Sequence, residues 1–452
     1  VGAEVICAVI TPVGPGHAAL FDQSCAPSVA QAKGWSLGPF SEVRHYVMDD
    51  TEGRHGRSNR RNDALRRAVE EGVEWVYFLD ADDLMTPNAF EAFGRVIAAE
   101  PELEAVWGLI VTLDAGGEPA LREGQPERLD TIEQFLAVEP FNAVQIGGFI
   151  RTAAAARYGF DAAMDTGEDY RLYGQLWRNH RCAKRPEIFF VNQRGQHSTG
   201  PRAATGRDWT ESVTRQWRAL LAEVPVWAEF DDGQGPVRMR LTNPADLIQH
   251  SYLRGQFFEA ESLAKLKALV KVPRPRIVEV GANIGNHVVW YARHLDAERI
   301  YPVEPNPEAL RLLDANIAAN GIEARIDRRG MGLGAGAGEG RFVAQTDNAD
   351  NLGATRLVAA ADGGIETRSL DALMGEERVD FIKIDAEGME LDVLEGASAL
   401  IARDKPVIWV EVLKPNIMGF VQTWCRKAGY RVVDSTGYHN TVDYFAIPRE
   451  AP

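Results

Sequence analysis

Three aspartates, Asp80, Asp82 and Asp83, stand where the apolar run Trp75 to Leu79 (WVYFL) stops. A run of that kind reads as a strand buried on both faces of a parallel sheet, and its carboxyl end is where ligands bind in open α/β folds. Carboxylates two apart with a small residue between them, as in Asp80-Ala81-Asp82, can hold one Mg2+ or Mn2+ through one or two oxygens. Such a cation keeps positions for water and for the phosphates of a nucleotide. Taken alone, the same residues make a solvated acidic turn ahead of the helix after Pro87. A second acidic pair, Glu168-Asp169, opens a helix, where the dipole favours negative charge. Arg57, Arg194, His197 and Ser198 are further groups able to meet phosphate or metal.

A different chemistry is written at Ile277 to Gly285 (IVEVGANIG), a strand that runs into a glycine turn and then a helix. Glycines let the backbone approach a ligand at a helix N-terminus. Glu304 closes the next strand about twenty residues on, placed to accept both hydroxyls of a ribose. That spacing serves a nicotinamide or an adenosyl cofactor. Asn283 replaces the second glycine of G-x-G-x-x-G and Glu279 precedes the turn, which favours S-adenosylmethionine over NAD.

The elements that must position these groups follow from hydrophobic pattern. In the first half, strands are expected at Glu4 to Ile10, Val43 to Met48, Trp75 to Leu79, Ala105 to Leu113 and Ile188 to Val191. They alternate with helices at Ser58 to Glu71, Pro87 to Ala99, Gly167 to His180 and Trp209 to Ala222. In the second half, strands at Arg276 to Val280, Arg299 to Val303, Val379 to Ile384 and Val407 to Val412 lead to a final hairpin, Tyr430 to Ile447. Strand-helix-strand order gives an α/β fold with parallel sheets in two domains. Boundaries fall at 1–225, 226–272 (a linker with a helical lead-in) and 273–452. Gly332 to Gly340 (GLGAGAGEG) lacks the lysine of a phosphate loop and reads as a flexible turn.

Bulk properties narrow the partners. A chain of 452 residues with 45% apolar and 25% charged residues is folded and globular. A net charge of -16 repels a polyanion, so nucleic acid is not an expected partner. The four cysteines form no C-x-x-C pair, and no run has the ~18 apolar residues of a membrane span. A reducing cytoplasm is the expected location.

Over roughly Glu4 to Asp208 the order of motifs resembles family 2 glycosyltransferases of the GT-A fold. The resemblance implies that Thr11 and Pro12 lie beside the nucleotide base and that Asp49 or Asp50 contacts the nucleoside. It places Asp80, Ala81 and Asp82 on the metal-bound diphosphate, with Arg57 and His197 as further phosphate or metal contacts, and makes Asp169 the base that takes the acceptor's proton. Over about Arg276 to Val412, VEVGANIGNH, PVEPNPEALRLLDANIAANG, RSLDAL, VDFIKIDAEGMELDVLEGA and PVIWVEV resemble FkbM-type methyltransferases, with a Rossmann-like class I domain. That resemblance implies that Glu279, Gly281, Asn283, Gly285 and Glu304 hold S-adenosylmethionine, with Asp385 and Glu387 near the methyl group. His287, Glu411 and His439 are possible helpers.

Together the two resemblances imply a bifunctional enzyme of bacterial polysaccharide biosynthesis. One domain transfers a sugar from a nucleotide-sugar donor to a glycan or glycolipid acceptor with Mn2+ or Mg2+. The other methylates a sugar hydroxyl. The alternative is an O-methyltransferase whose N-terminal domain is a non-catalytic carbohydrate-binding module.

Overall fold

The computed structural model describes residues 4–113, 117–193, 206–243, 245–346 and 355–449. It divides into two α/β units, Val1–Val226 and Trp227–Pro452. In the first unit a six-stranded sheet runs in the order Glu42–Asp49, Ile6–Val13, Trp75–Phe78, Phe149–Arg151, Ala105–Trp107, Cys182–Lys184. All pairs are parallel except the two made by Phe149–Arg151. Every residue of Ile6–Val13 and Trp75–Phe78 is buried, as central strands covered on both faces require. The helix Arg57–Glu70 buries Arg61, Ala64, Leu65 and Ala68, the i, i+3, i+4, i+7 face of an amphipathic helix.

The expected strand Ala105 to Leu113 is two strands in two sheets. Ala105–Trp107 lies in the large sheet and Val111–Leu113 in a small one with Leu84–Met85, Phe190–Asn192 and Pro119–Leu121. The break falls at Gly108, where a Cβ would lie 2.3 Å from the Glu187 carbonyl oxygen, and that same oxygen accepts the Leu109 N–H at 2.7 Å.

The second unit carries a six-stranded sheet in the order Arg299–Val303, Arg276–Val280, Phe381–Ile384, Val407–Leu413, Thr441–Pro448, Tyr430–Gly437. Its first four strands are parallel and its last two pairings antiparallel. The helix Pro307–Ala319 starts with Pro at its first turn and Asn306 capping the Glu308 N–H, which fixes where Glu304 stands two residues earlier. Gly332 to Gly340, expected as a flexible turn, holds the strand Leu333–Ala335 and the start of Gly340–Thr346. A Cβ at Gly334 would meet Leu357 at 2.6 Å and Thr367 at 3.0 Å, so packing calls for the small residue there. Among the described residues no helix is long and apolar enough to cross a membrane, and all four cysteines are free and buried.

Candidate active sites

In the first unit, the carboxyl ends of Ile6–Val13, Glu42–Asp49 and Trp75–Phe78 bring most of the expected residues to one sheet edge. Two arginines organise it. Arg61, only 2% exposed, pairs with Asp80 Oδ1 and donates to Glu168 Oε1 at 3.2 Å. Arg57 donates to Glu168 Oε2 at 2.5 Å. The aspartate turn and the acidic helix start are thereby tied together, with Asp169 beside the cluster. Burial, then the Glu168 charge, raises the Asp169 carboxyl above the usual range, while Arg57 pulls it back. A carboxyl held this way suits proton transfer. Arg61 had one signal in the sequence, its i, i+4 spacing from Arg57 on a helix face.

The other expected residues of this edge divide by what already holds them. Asp50 is buried and accepts from the His55 and Gly56 N–H groups at 3.0 and 2.7 Å, so its carboxylate shapes the loop before the helix. Asp49 is exposed and accepts from the Thr51 N–H at 2.9 Å. Thr11 is fully buried with Oγ1 3.0 Å from His45 Nε2, and Pro12 and Ala81 are buried too. Asp82 is partly exposed, 3.9 Å from His17 Nε2. Asp83 is buried and accepts from Asn192 Nδ2 and the Gln193 N–H, both at 3.1 Å, which ties the turn to the small sheet. His197, with Arg194 and Ser198, lies outside the described residues. Among the described residues no group of three or more His, Cys, Asp or Glu is arranged to hold a metal.

In the second unit a cavity of about 300 Å³ opens at the carboxyl ends of the parallel strands. Gly281, Asn283, Glu304, Asp385 and Glu387 all line it. Glu304 accepts from the Asn283 N–H through one oxygen and from the Asn306 N–H through the other, both at 2.7 Å. Burial nonetheless pushes its carboxyl up to about 7. Gly285 is absent from the lining; its φ of +85° and a Cβ contact of 2.6 Å with Leu313 show that it serves the turn and the packing of the next helix. Glu279 lies beneath the cavity, 1% exposed, with Oε1 2.9 Å from His287 Nδ1.

The floor is charged. Lys383 is buried, donates to Asp385 Oδ2 at 3.2 Å and lies 4.9 Å over the Trp409 ring. Burial works against its ammonium, but Asp385 and Glu259 outweigh it and hold the lysine charged. Around Asp385, burial and the Asp385 charge push Glu387 up to about 7 and raise Glu411 as well. These carboxyls can take up or release a proton near neutrality. Sequence reasoning missed Lys383 and Glu259, although Lys383 stands two residues before Asp385 on the same strand.

The residues fit an adenosyl cofactor. Asn283 Oδ1, in the cavity lining, is a buried acceptor with no hydrogen-bond partner, and an amino, hydroxyl or ammonium donor of the ligand would satisfy it. A divalent cation in the first unit would find carboxylates at Asp80 and Asp82, of which Asp80 is paired with Arg61.

Residues 279–432 match the family model described as Methyltransferase FkbM domain. The methyltransferase sdnD of Sordaria araneosa is 25% identical over 201 residues, covering 35% of this chain and 78% of sdnD. Among solved structures, S. aureus TarS 1–349 is similar at 14% identity and TM-score 0.36. That match spans 49% of this chain and 66% of TarS 1–349, just under two thirds. The methyltransferase FkbM of Methylobacillus flagellatus KT is similar at 18% identity and TM-score 0.27, over 53% of this chain and 60% of that one. The second unit carries an FkbM-type methyltransferase domain.

Proposed function

We propose that the second unit transfers the methyl group of S-adenosylmethionine to a sugar hydroxyl and that the first unit transfers a sugar from a nucleoside diphosphate. The observation carrying the methyl-transfer reading is Glu304, a cavity carboxylate pinned by two backbone N–H groups and free to accept from a ribose. S-adenosylmethionine supplies an electrophilic methyl whose sulfur departs as a neutral thioether. Asp385, oriented by Lys383, takes the hydroxyl proton as the acceptor oxygen attacks, and Glu387 and Glu411 stand ready to relay it. Radiolabelled methyl transfer to a panel of mono- and oligosaccharides, compared between wild type and Asp385→Asn, tests this. Labelling confined to non-carbohydrate acceptors would refute the sugar assignment.

In the first unit Asp82 and Asp80 would hold Mn2+ or Mg2+ on the diphosphate, and Asp169 would receive the acceptor proton. The arginine-bound pair Asp80 and Glu168 at the sheet edge, with Asp169 next in the chain, supports this reading. A second reading, a carbohydrate-binding module, is favoured by the pairing of Asp80 with Arg61, which occupies an oxygen a cation would use. Release of nucleotide from UDP-, GDP- and dTDP-sugars with Mn2+, lost in Asp82→Ala, distinguishes the two. Intact donors throughout, with no Mn2+-dependent nucleotide binding, would leave the binding module.

A further inference from the structure

Residues 247–259 precede the segment that matches the methyltransferase family, yet Leu247, Ile248, Phe258 and Glu259 line the cavity. What holds Phe258 and Glu259 there is a pair of consecutive residues at the start of the helix Asn286–His294. Asn286 accepts from the Phe258 N–H at 3.0 Å and donates to the Phe258 carbonyl at 3.1 Å. His287 lies between two carboxylates, Nδ1 2.9 Å from Glu279 Oε1 and Nε2 3.1 Å from Glu259 Oε2, the second an ion pair without good hydrogen-bond alignment. The three side chains are 9% (His287), 10% (Glu259) and 1% (Glu279) exposed. Glu259 also has a φ of +57°, a left-handed conformation that a non-glycine residue keeps only where its surroundings impose it.

We propose that His287 is a positioning residue of the methyl-transfer site: by bridging Glu279 to Glu259 it locks Phe258 and Glu259 in place as part of one wall of the cofactor cavity. The inference rests on the methyltransferase reading and adds to it a residue pair of which one member lies outside the family segment.

Two carboxylates facing a shared buried position repel unless a cation separates them. Burial opposes the charge on His287, but Glu259 and Glu279 together push it up to about 9, so the bridge is charged at neutral pH. The other charged or titratable groups around the bridge are Lys383 with Asp385, Asp443, Tyr252, Tyr291 and Tyr438. Lys383 is already tied to Asp385 and cannot replace the imidazolium.

The test is S-adenosylmethionine binding by the full-length protein, measured calorimetrically from pH 7.5 to 9.5 for wild type, Glu259→Gln, His287→Gln and the double variant, with thermal melts alongside. Each single variant should weaken binding about tenfold, and the double variant should bind no more weakly than either single, because the two residues act through one another. Wild-type affinity should fall more steeply than that of the double variant as pH rises through about 9, the shared part of the fall being the loss of the cofactor's ammonium. Should one single variant fail to fold, the other still decides; the wild-type pH series alone would not, because the cofactor's own ammonium also titrates in this range. A wild-type fall no steeper than that of the double variant, or single variants with wild-type affinity, overturns the proposal and leaves the methyltransferase reading standing. No binding by wild type at any pH overturns both.

Discussion

Gly281 and Asp385 meet through their backbones: a Cβ on Gly281 would lie 2.0 Å from the Asp385 carbonyl oxygen, and the Asp385 N–H donates to the Val280 carbonyl at 3.0 Å. The turn that would cradle the cofactor and the residue that would take the acceptor's proton are therefore one rigid unit at the ends of two adjacent parallel strands.

Gly281→Ala should break that unit. The residue has a φ of +81°, which costs an alanine about 1–2 kcal/mol, and a backbone oxygen cannot rotate aside, which adds a further ~1–3 kcal/mol of overpacking. Urea unfolding should show a loss of about 3 kcal/mol in the second unit, with S-adenosylmethionine binding abolished. Gly332→Ala is the control: its φ is +87° but a Cβ there meets nothing within 4 Å, so only the ~1–2 kcal/mol of backbone strain applies. Equal midpoints for the two variants would contradict the close approach.

Arg61→Met should be among the most damaging substitutions in the first unit. The guanidinium is buried between Glu168, 1% exposed, and Asp80; removing it leaves Glu168 with Arg57 alone and Asp80, a third exposed, without its partner, worth about 1–3 kcal/mol of destabilisation. Adding Glu168→Gln should recover part of the loss. Chemical denaturation of the single and double variants measures both, and a loss below about 1 kcal/mol would mean the cluster is effectively solvated.

Much of this was legible in the sequence, because its signals are local. WVYFL before Asp80, the glycine turn before Asn286 and the interval to Glu304 each depend on a few neighbouring residues, and the structure has each element there. Phe149–Arg151 and Cys182–Lys184 went unseen because three-residue strands carry no periodicity. The glycines were readable as special but not for the right reason: Gly281 answers to Asp385 and Gly285 to Leu313, contacts 104 and 28 residues away in sequence. The ion pairs Arg61–Asp80 and His287–Glu259 are likewise set by tertiary packing, which spacing along one strand or helix does not encode.

Cofactor affinity should rise as pH passes through about 7, where Glu304 becomes a carboxylate. Only that form accepts from two backbone N–H groups and a ribose together. The competent fraction grows about tenfold between pH 6 and 8, so the dissociation constant should fall by about that factor. Stability moves the other way. From its ordinary value of 4.5 up to about 7 the folded protein holds a proton that the unfolded chain has released, so this group's contribution declines as pH rises through that window. Glu304→Gln should bind weakly with a flat profile. Glu387→Gln, at a carboxyl also pushed to about 7, should keep the slope, and its loss there instead would reassign the titration.

A fragment beginning at residue 227 should bind S-adenosylmethionine, and one beginning at 273 should not. The hairpin Val226–Asp231 and Pro236–Leu241 forms its own two-stranded sheet and is bonded to the helices Asn286–His294 and Pro307–Ala319 of the second unit. Asp232, 4% exposed, accepts from Arg293 Nε and Nη2 at 2.6 and 2.8 Å and lies 3.0 Å from His294 Nε2. Burial would raise its carboxyl, but the Arg293 hydrogen bonds prevail and hold it at about 2. Asn316, fully buried, accepts the Arg240 N–H at 2.7 Å, and Asn320 donates to the Arg238 carbonyl at 2.7 Å. Removing 227–272 strips these partners from Arg293 and Asn316 and takes Phe258 and Glu259 out of the cavity wall. Each buried group left unpaired costs about 1–3 kcal/mol, enough in sum to unfold a domain of ordinary stability. Calorimetric titration of both fragments reads the result, and equal affinity would make 227–272 a tether with no part in the site.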